Sequence, residues 1–203
     1  ITSNTAPTEL LVEDPLMVVT EQGMLVLEKG NYTLPEVILQ VGPDELHMHW
    51  MCKLFIHNAP HAIVAYLGWL KGYTYIHEAM ADSDINEVVV GSISEITDGV
   101  IAAGFAEKNY ANNYKEKELK RFSNALLYDT IKRVACFFKQ KTAYDNRLVL
   151  GIRIALFNGQ LPSNTAKGLK AALLYNNNED KEALYLQNLR SSTNDNEILK
   201  KFS

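Results

Sequence analysis

The sequence predicts a mainly α-helical domain with one small β-hairpin near its N-terminus. After residue 44, apolar residues recur at spacings of three and four, the mark of helices with one buried face. Short valine-rich runs that read as strands occur only before that point. The glycines are too sparse for a Gly-x-Gly-x-x-Gly loop, Gly68 and Gly72 being the closest pair.

In chain order, 16–20 and 24–27 are apolar runs separated by Glu21-Gln22-Gly23, the pattern of a hairpin with a glycine-containing turn. Residues 29–43 carry Gly30, Pro35 and Gly42 in turn-like positions and read as connecting structure. Asp44 is placed to cap a helix through Leu46, Trp50, Lys53 and Leu54. Pro60 should interrupt it, because proline lacks a donor and crowds the carbonyl four residues earlier. Ile63, Val64, Leu67 and Leu70 mark a helix that Gly72 can end. Ser83 or Asp84 should cap a longer one through Ile85, Val89, Ile93, Ile96 and Val100. Leu119, Phe122, Leu126, Leu127, Ile131 and Val134 predict a single helix over 115–138. Two more follow over 147–157 and 163–175, separated by Gly159 and Pro162, and a last one starts at Lys181. The stretch 191–196 is too polar to bury and is expected to be loosely held.

The expected organisation is therefore a linker over 1–13, one helical domain over 14–190 and a polar tail over 191–203. The chain opens on Ile1 and a polar stretch, as a segment cut from a longer protein would. With 203 residues and 47% hydrophobic content it can bury one core. A net charge of -4, with no basic run interleaved with aromatics, argues against nucleic acid as a partner. Cys52 and Cys136 form neither a disulfide framework nor a Cys-x-x-Cys motif, which suits a reducing, cytoplasmic setting. The most apolar stretches are too short to span a bilayer, so a soluble protein is expected.

One segment concentrates chemistry: Lys53-Leu54-Phe55-Ile56-His57-Asn58-Ala59-Pro60-His61. At about 100° per residue, Asn58 and His61 lie a turn apart on one face and Lys53 stands roughly 140° round from Asn58. Oxidising an alcohol by hydride transfer needs a group that takes the hydroxyl proton and donors that stabilise charge on oxygen. A partly desolvated lysine releases its proton more readily, which makes Lys53 a candidate base, with Asn58 and His61 as hydrogen-bonding groups. The bland reading of the same triplet is a solvated helix lysine, a helix cap and a core histidine. His47, His49, His57 and His61 crowd into fifteen residues, but no cysteine or carboxylate completes a metal shell at helical spacing, so no metal is expected.

The string Lys-Leu-Phe-x-x-Asn-x-x-His followed by Ala-x-x-Ala-Tyr-Leu-Gly resembles the signature of the zinc-independent long-chain polyol dehydrogenases, specifically the mannitol-1-phosphate 5-dehydrogenase group. Asp14-Pro15-Leu16-x-Val18 upstream, Arg121-Phe122-Ser123-Asn124 with Asp129-Thr130 and Arg133-Val134, and Asn146-Arg147-Leu148-Val149 extend the likeness over most of 14–189. The resemblance implies a general acid/base role for Lys53, substrate orientation and alkoxide stabilisation by Asn58 and His61, and substrate contacts by Arg121 and Asn124. It implies NAD as cofactor, bound mainly by an N-terminal Rossmann domain that this sequence lacks, and a sugar phosphate or polyol as substrate. The expected reaction is interconversion of mannitol 1-phosphate and fructose 6-phosphate, with no activity expected from the chain alone.

Two departures stand out. Ala125 replaces a proline, and 136–142 reads Cys-Phe-Phe-Lys-Gln-Lys-Thr where the family has an Arg-x-Pro-Leu-Arg-Lys-Leu stretch, which puts any phosphate recognition by that stretch in question. Two other readings remain open: a mannitol 2-dehydrogenase or hexuronate reductase sharing the same triplet, and a non-catalytic helical module used for binding or dimerisation.

Overall fold

In the computed structural model, the described residues are 6–19, 25–31, 33–36 and 38–201. Helix α1 (Thr8–Glu13) buries none of its residues. Strands β1 (Leu25–Glu28) and β2 (Ile38–Val41) pair in parallel, with Leu25 opposite Ile38 and Glu28 opposite Val41. The small two-stranded element is present, but it is not the expected hairpin. Residues 16–19 are not strand, and the expected turn at 21–23 lies outside the described residues. The true partner, Ile38–Val41, falls in the stretch read as connecting structure. A parallel mate needs a return path as long as the strand, about 13 Å for four residues, which the segment between Glu28 and Ile38 can span and a tight turn cannot.

The helices then follow without long breaks. Helix α2 (Pro43–Met51) starts with proline at its first position, so Gly42 rather than Asp44 is the cap. Residues Cys52–Asn58 wind as a π-helix, and α3 (Ala59–Lys71) continues from it through αR backbone at Asn58 and Ala59. Pro60 therefore sits inside one continuous rod instead of interrupting it. The π turn shifts bonding partners from four to five residues back, and the wider winding leaves room beside the Ile56 carbonyl that the proline ring would otherwise crowd. Gly72 ends α3 at φ 80°, as expected.

Helices α4 (Ile76–Ala81) and α5 (Ser83–Ala102) come next, and Asp82 caps α5 by accepting from the amides of Asp84 and Ile85. Helix α6 (Lys108–Phe122) ends well before residue 138. The expected long helix is broken into α6, a 3-10 turn (Ala125–Leu127), α7 (Ile131–Ala135) and α8 (Phe138–Thr142). Asn124 and Thr130 turn their side chains onto backbone amides, and Tyr128 and Phe137 adopt positive φ, so each apolar cluster restarts with a new axis.

Helices α9 (Arg147–Phe157), α10 (Ser163–Leu173) and α11 (Lys181–Arg190) lie close to their expected positions. The polar tail differs from expectation: α12 (Asp195–Lys200) forms and buries Ile198 completely, with Lys170 paired to Asp195. Helix α3 is the axle, packed against α5, α7 and α10 and contributing Ile63, Val64 and Tyr66 to the core. At Gly168 of α10 the two helices come so close that a Cβ would lie 2.4 Å from an Ile63 carbon. Among the described residues no helix is long and apolar enough to cross a membrane.

Candidate active site

The π segment decides how the motif is presented. Residues five apart in a π-helix stand roughly one above the other, as residues four apart do in an α-helix. Lys53 and Asn58 bracket such a step, which narrows the 140° offset of regular α geometry, and His61 follows in the first turn of α3. Lys53 and Asn58 are half-buried, and the Asn58 side chain caps nothing although Asn58 opens α3.

Lys53 lines an open cleft of about 860 Å³ with Trp50, Tyr110, Lys117, Glu118 and Arg121. One wall is α2 and the π segment, and the other is the face of α6 that carries Tyr110, Tyr114, Glu118 and Arg121 at helical spacing. Next to it is a small cavity of about 10 Å³, lined by His61, Arg121, Phe122, Asn124 and Asp129, room for about one water. Arg121 borders both spaces. The structure thus gathers four of the five expected residues around two adjoining spaces, with Asn58 at the end of the π segment between Lys53 and His61. Asn124 is partly committed elsewhere, since its Oδ1 accepts from the Leu126 amide at 3.0 Å.

Both histidines of the motif have carboxylate partners from distant elements. His61 Nε2 is 2.9 Å from Asp129 Oδ2, and the other oxygen of Asp129 accepts from Arg133. The His61 ring also stacks on Phe122 at 5.1 Å. Burial holds His61 below its ordinary range even though Asp129 pulls it up, so the imidazole is neutral and its Nε2–H donates to Asp129. Burial pushes Asp129 up, but its bonds to His61 and Arg133 outweigh this and keep it a carboxylate.

His57 is buried, with Nδ1 2.5 Å from Glu118 Oε2 and its ring 5.1 Å from that of His61. Burial drives His57 down and Glu118 up, so both favour their uncharged forms and the protonated Glu118 carboxyl donates a hydrogen bond to Nδ1. Arg121, Lys53 and Lys117 oppose the rise on Glu118, which places all three cations within electrostatic reach of one carboxyl.

The sequence reading missed Glu118, Asp129 and Tyr110. Glu118 had a visible signal: it is the charged residue on the apolar stripe Ala111, Glu118, Phe122 that α6 buries. The carboxylates absent from the neighbourhood of the histidine cluster arrive from α6 and from residue 129. Among the described residues, no three His, Cys, Asp or Glu side chains group as a metal site.

The described residues thus combine a helical domain, a lysine on the wall of an open cleft and a histidine anchored by a carboxylate. The sequence profile of the mannitol dehydrogenase C-terminal domain matches residues 45–201, and the chain belongs to that family. It is 35% identical over 159 residues to the mannitol-1-phosphate 5-dehydrogenase of Caldanaerobacter subterraneus subsp. tengcongensis, covering 78% of this chain and 40% of that protein. It is 38% identical over 151 residues to the enzyme of the same name from Oceanobacillus iheyensis, covering 74% and 39%. The chain thus spans about two fifths of these relatives' length. Its fold matches a ternary complex of Pseudomonas fluorescens mannitol 2-dehydrogenase with NAD and D-mannitol, with TM-score 0.62 and 25% identity, over 77% of this chain and 33% of that one.

Proposed function

We propose that this chain is the substrate-binding and proton-transfer portion of an NAD-linked polyol dehydrogenase that interconverts mannitol 1-phosphate and fructose 6-phosphate. The observation that carries the reading is Lys53 on the wall of a substrate-sized cleft, with the Asp129-anchored His61 one turn beyond Asn58. A volume of about 860 Å³ suits a hexose phosphate together with the reactive end of a cofactor.

The described residues form no doubly wound sheet, and the sequence has no glycine loop, so the bulk of a dinucleotide is assigned to another portion of the protein facing the open side of the cleft. NAD bound there supplies the hydride acceptor. The residues of this chain handle the proton and the oxygen. Lys53 takes the hydroxyl proton during oxidation and returns it during reduction. Asn58 offers an amide donor to the charge that develops on oxygen. Neutral His61, its Nε2–H committed to Asp129, leaves Nδ1 as an acceptor and so suits the substrate's O–H rather than its alkoxide. Arg121, reaching both spaces, is placed to fix the substrate between them.

The test is ketose reduction by the protein in its complete reading frame, with NADH and either fructose 6-phosphate or fructose. Preference for the phosphorylated sugar supports the reading. Preference for fructose favours a mannitol 2-dehydrogenase, the activity in the name of the solved neighbour, and turnover of neither sugar by folded protein refutes the assignment.

A further inference from the structure

Three cationic side chains reach the cleft from two walls, Lys53 from the π segment and Lys117 and Arg121 from α6. Lys53, Lys117 and Arg121 line it with the acids Glu28 and Glu118, and Glu118, held in its protonated form by burial, donates a hydrogen bond to His57 instead of presenting a full negative charge. Lys117 and Arg121 are four residues apart on α6, so their side chains project from the same face one turn apart. Asn113 precedes Lys117 by a further turn and also lines the cleft. Amide, ammonium and guanidinium donors therefore follow one another along a single wall, at an angle to the wall that bears Lys53.

The segment whose family counterpart is basic does not reach this place. No residue of 136–142 lines the cleft. Lys139 lies over the Tyr185 ring at 4.3 Å, and Lys141 is buried with its ammonium on the Cys136 carbonyl. An anionic substrate group entering beside Lys53 would meet the cations of α6, not those of α8.

We propose that Lys117, with Arg121 and Asn113, is the phosphate-recognition wall of this cleft and sets the preference for a phosphorylated over an unphosphorylated hexose. The proposal rests on the polyol-phosphate reading above and deepens it by naming the residues that read the phosphate. The guanidinium supplies a fork of donors matched to two phosphate oxygens, while the exposed Lys117 ammonium supplies a point charge at the cleft mouth. Being exposed, Lys117 should act in a salt-sensitive way.

The experiment compares the protein in its complete reading frame with Lys117→Ala, Lys117→Glu and the charge-retaining Lys117→Arg. Two quantities are read: the ratio of kcat/KM for fructose 6-phosphate to that for fructose, and the affinity for inorganic phosphate by calorimetry. Loss of one charge-assisted contact should lower both by about tenfold in Lys117→Ala, further in Lys117→Glu, and Lys117→Arg should recover most of the loss. A phosphate affinity and a sugar ratio unchanged in both Lys117→Ala and Lys117→Glu would overturn the proposal while leaving the polyol-phosphate reading intact. If the protein reduces only fructose, the phosphorylated-substrate reading fails, and the calorimetry decides the anion wall separately: loss of phosphate affinity on substitution upholds it and no loss removes it.

Discussion

Replacing Glu118 with alanine should cost far more than its place on a mostly polar helix suggests. The carboxyl is the partner of the buried His57 Nδ1, and both side chains are only 4% exposed. Removing it leaves a buried ring nitrogen unsatisfied, a cost of about 1–3 kcal/mol. Deleting the one buried methylene that alanine lacks adds about 0.8 kcal/mol. The total, about 2–4 kcal/mol, corresponds to a fall in Tm of about 4–16 °C for a chain of this size. Glu118→Gln keeps the shape and can still donate a hydrogen bond to Nδ1, so its cost should stay near 1 kcal/mol. Thermal unfolding followed by far-ultraviolet circular dichroism separates the two variants. Equal Tm values for Glu118→Ala and Glu118→Gln would show that the His57 bond carries none of the stability assigned to it.

Other outcomes follow from the same structure. Gly168→Ala should destabilise by about 1–3 kcal/mol, because its Cβ would meet three Ile63 carbons at 2.4–2.8 Å; denaturant titration should show part of the loss recovered when Ile63→Val is added. His61, held below its ordinary value of 6.5 by burial, binds its proton more readily when unfolded, so stability should fall as pH drops below about 6.5, by up to about 1.4 kcal/mol per pH unit until the folded protein also takes the proton. His61→Gln should reduce that slope between about pH 6.5 and 5, leaving the part that buried His57 contributes with the same sign. Asp129 is depressed by its bonds to His61 and Arg133, so its contribution is present above about pH 3.8 and is lost as pH falls through its lower folded value. Asp129→Asn should lower kcat about 10- to 100-fold by releasing the His61 ring, with a smaller change in the affinity for substrate.

What the sequence made legible was whatever depended on neighbours a few residues away. The period of Ile85, Val89, Ile93 and Ile96 defined α5, Gly72 announced the end of α3, and the bounds of α9 could be read from Asn146 through Phe157. The mainly helical class and the family followed from such local signals. What stayed hidden depended on partners distant in sequence or on backbone geometry without a residue signature. The pairing of Leu25–Glu28 with Ile38–Val41 is set by tertiary packing against the start of α2, so the second strand looked like a linker. The breaks at Tyr128 and Phe137 need positive φ in residues that rarely adopt it, and apolar periodicity ran straight across them. At the site, Lys53, Asn58, His61 and Arg121 could be nominated from the motifs, but the angle between Lys53 and the Asn58–His61 pair depends on the π winding of Cys52–Asn58, and the place of Arg121 on the packing of α6. Pro60 pointed to a disturbance there and not to its form. His57 and His61 seemed to lack carboxylates because Glu118 and Asp129 are more than sixty residues away.

In the proposed reaction Lys53 is the group that moves the proton. Steady-state reduction of fructose 6-phosphate by the complete protein and by Lys53→Ala, with the dissociation constant of the sugar phosphate measured in parallel, tests it. A kcat lower by about 10²- to 10⁴-fold, with a dissociation constant within about threefold, is the predicted result. A variant that keeps kcat within about threefold of the parent, or that loses only sugar affinity, would contradict it.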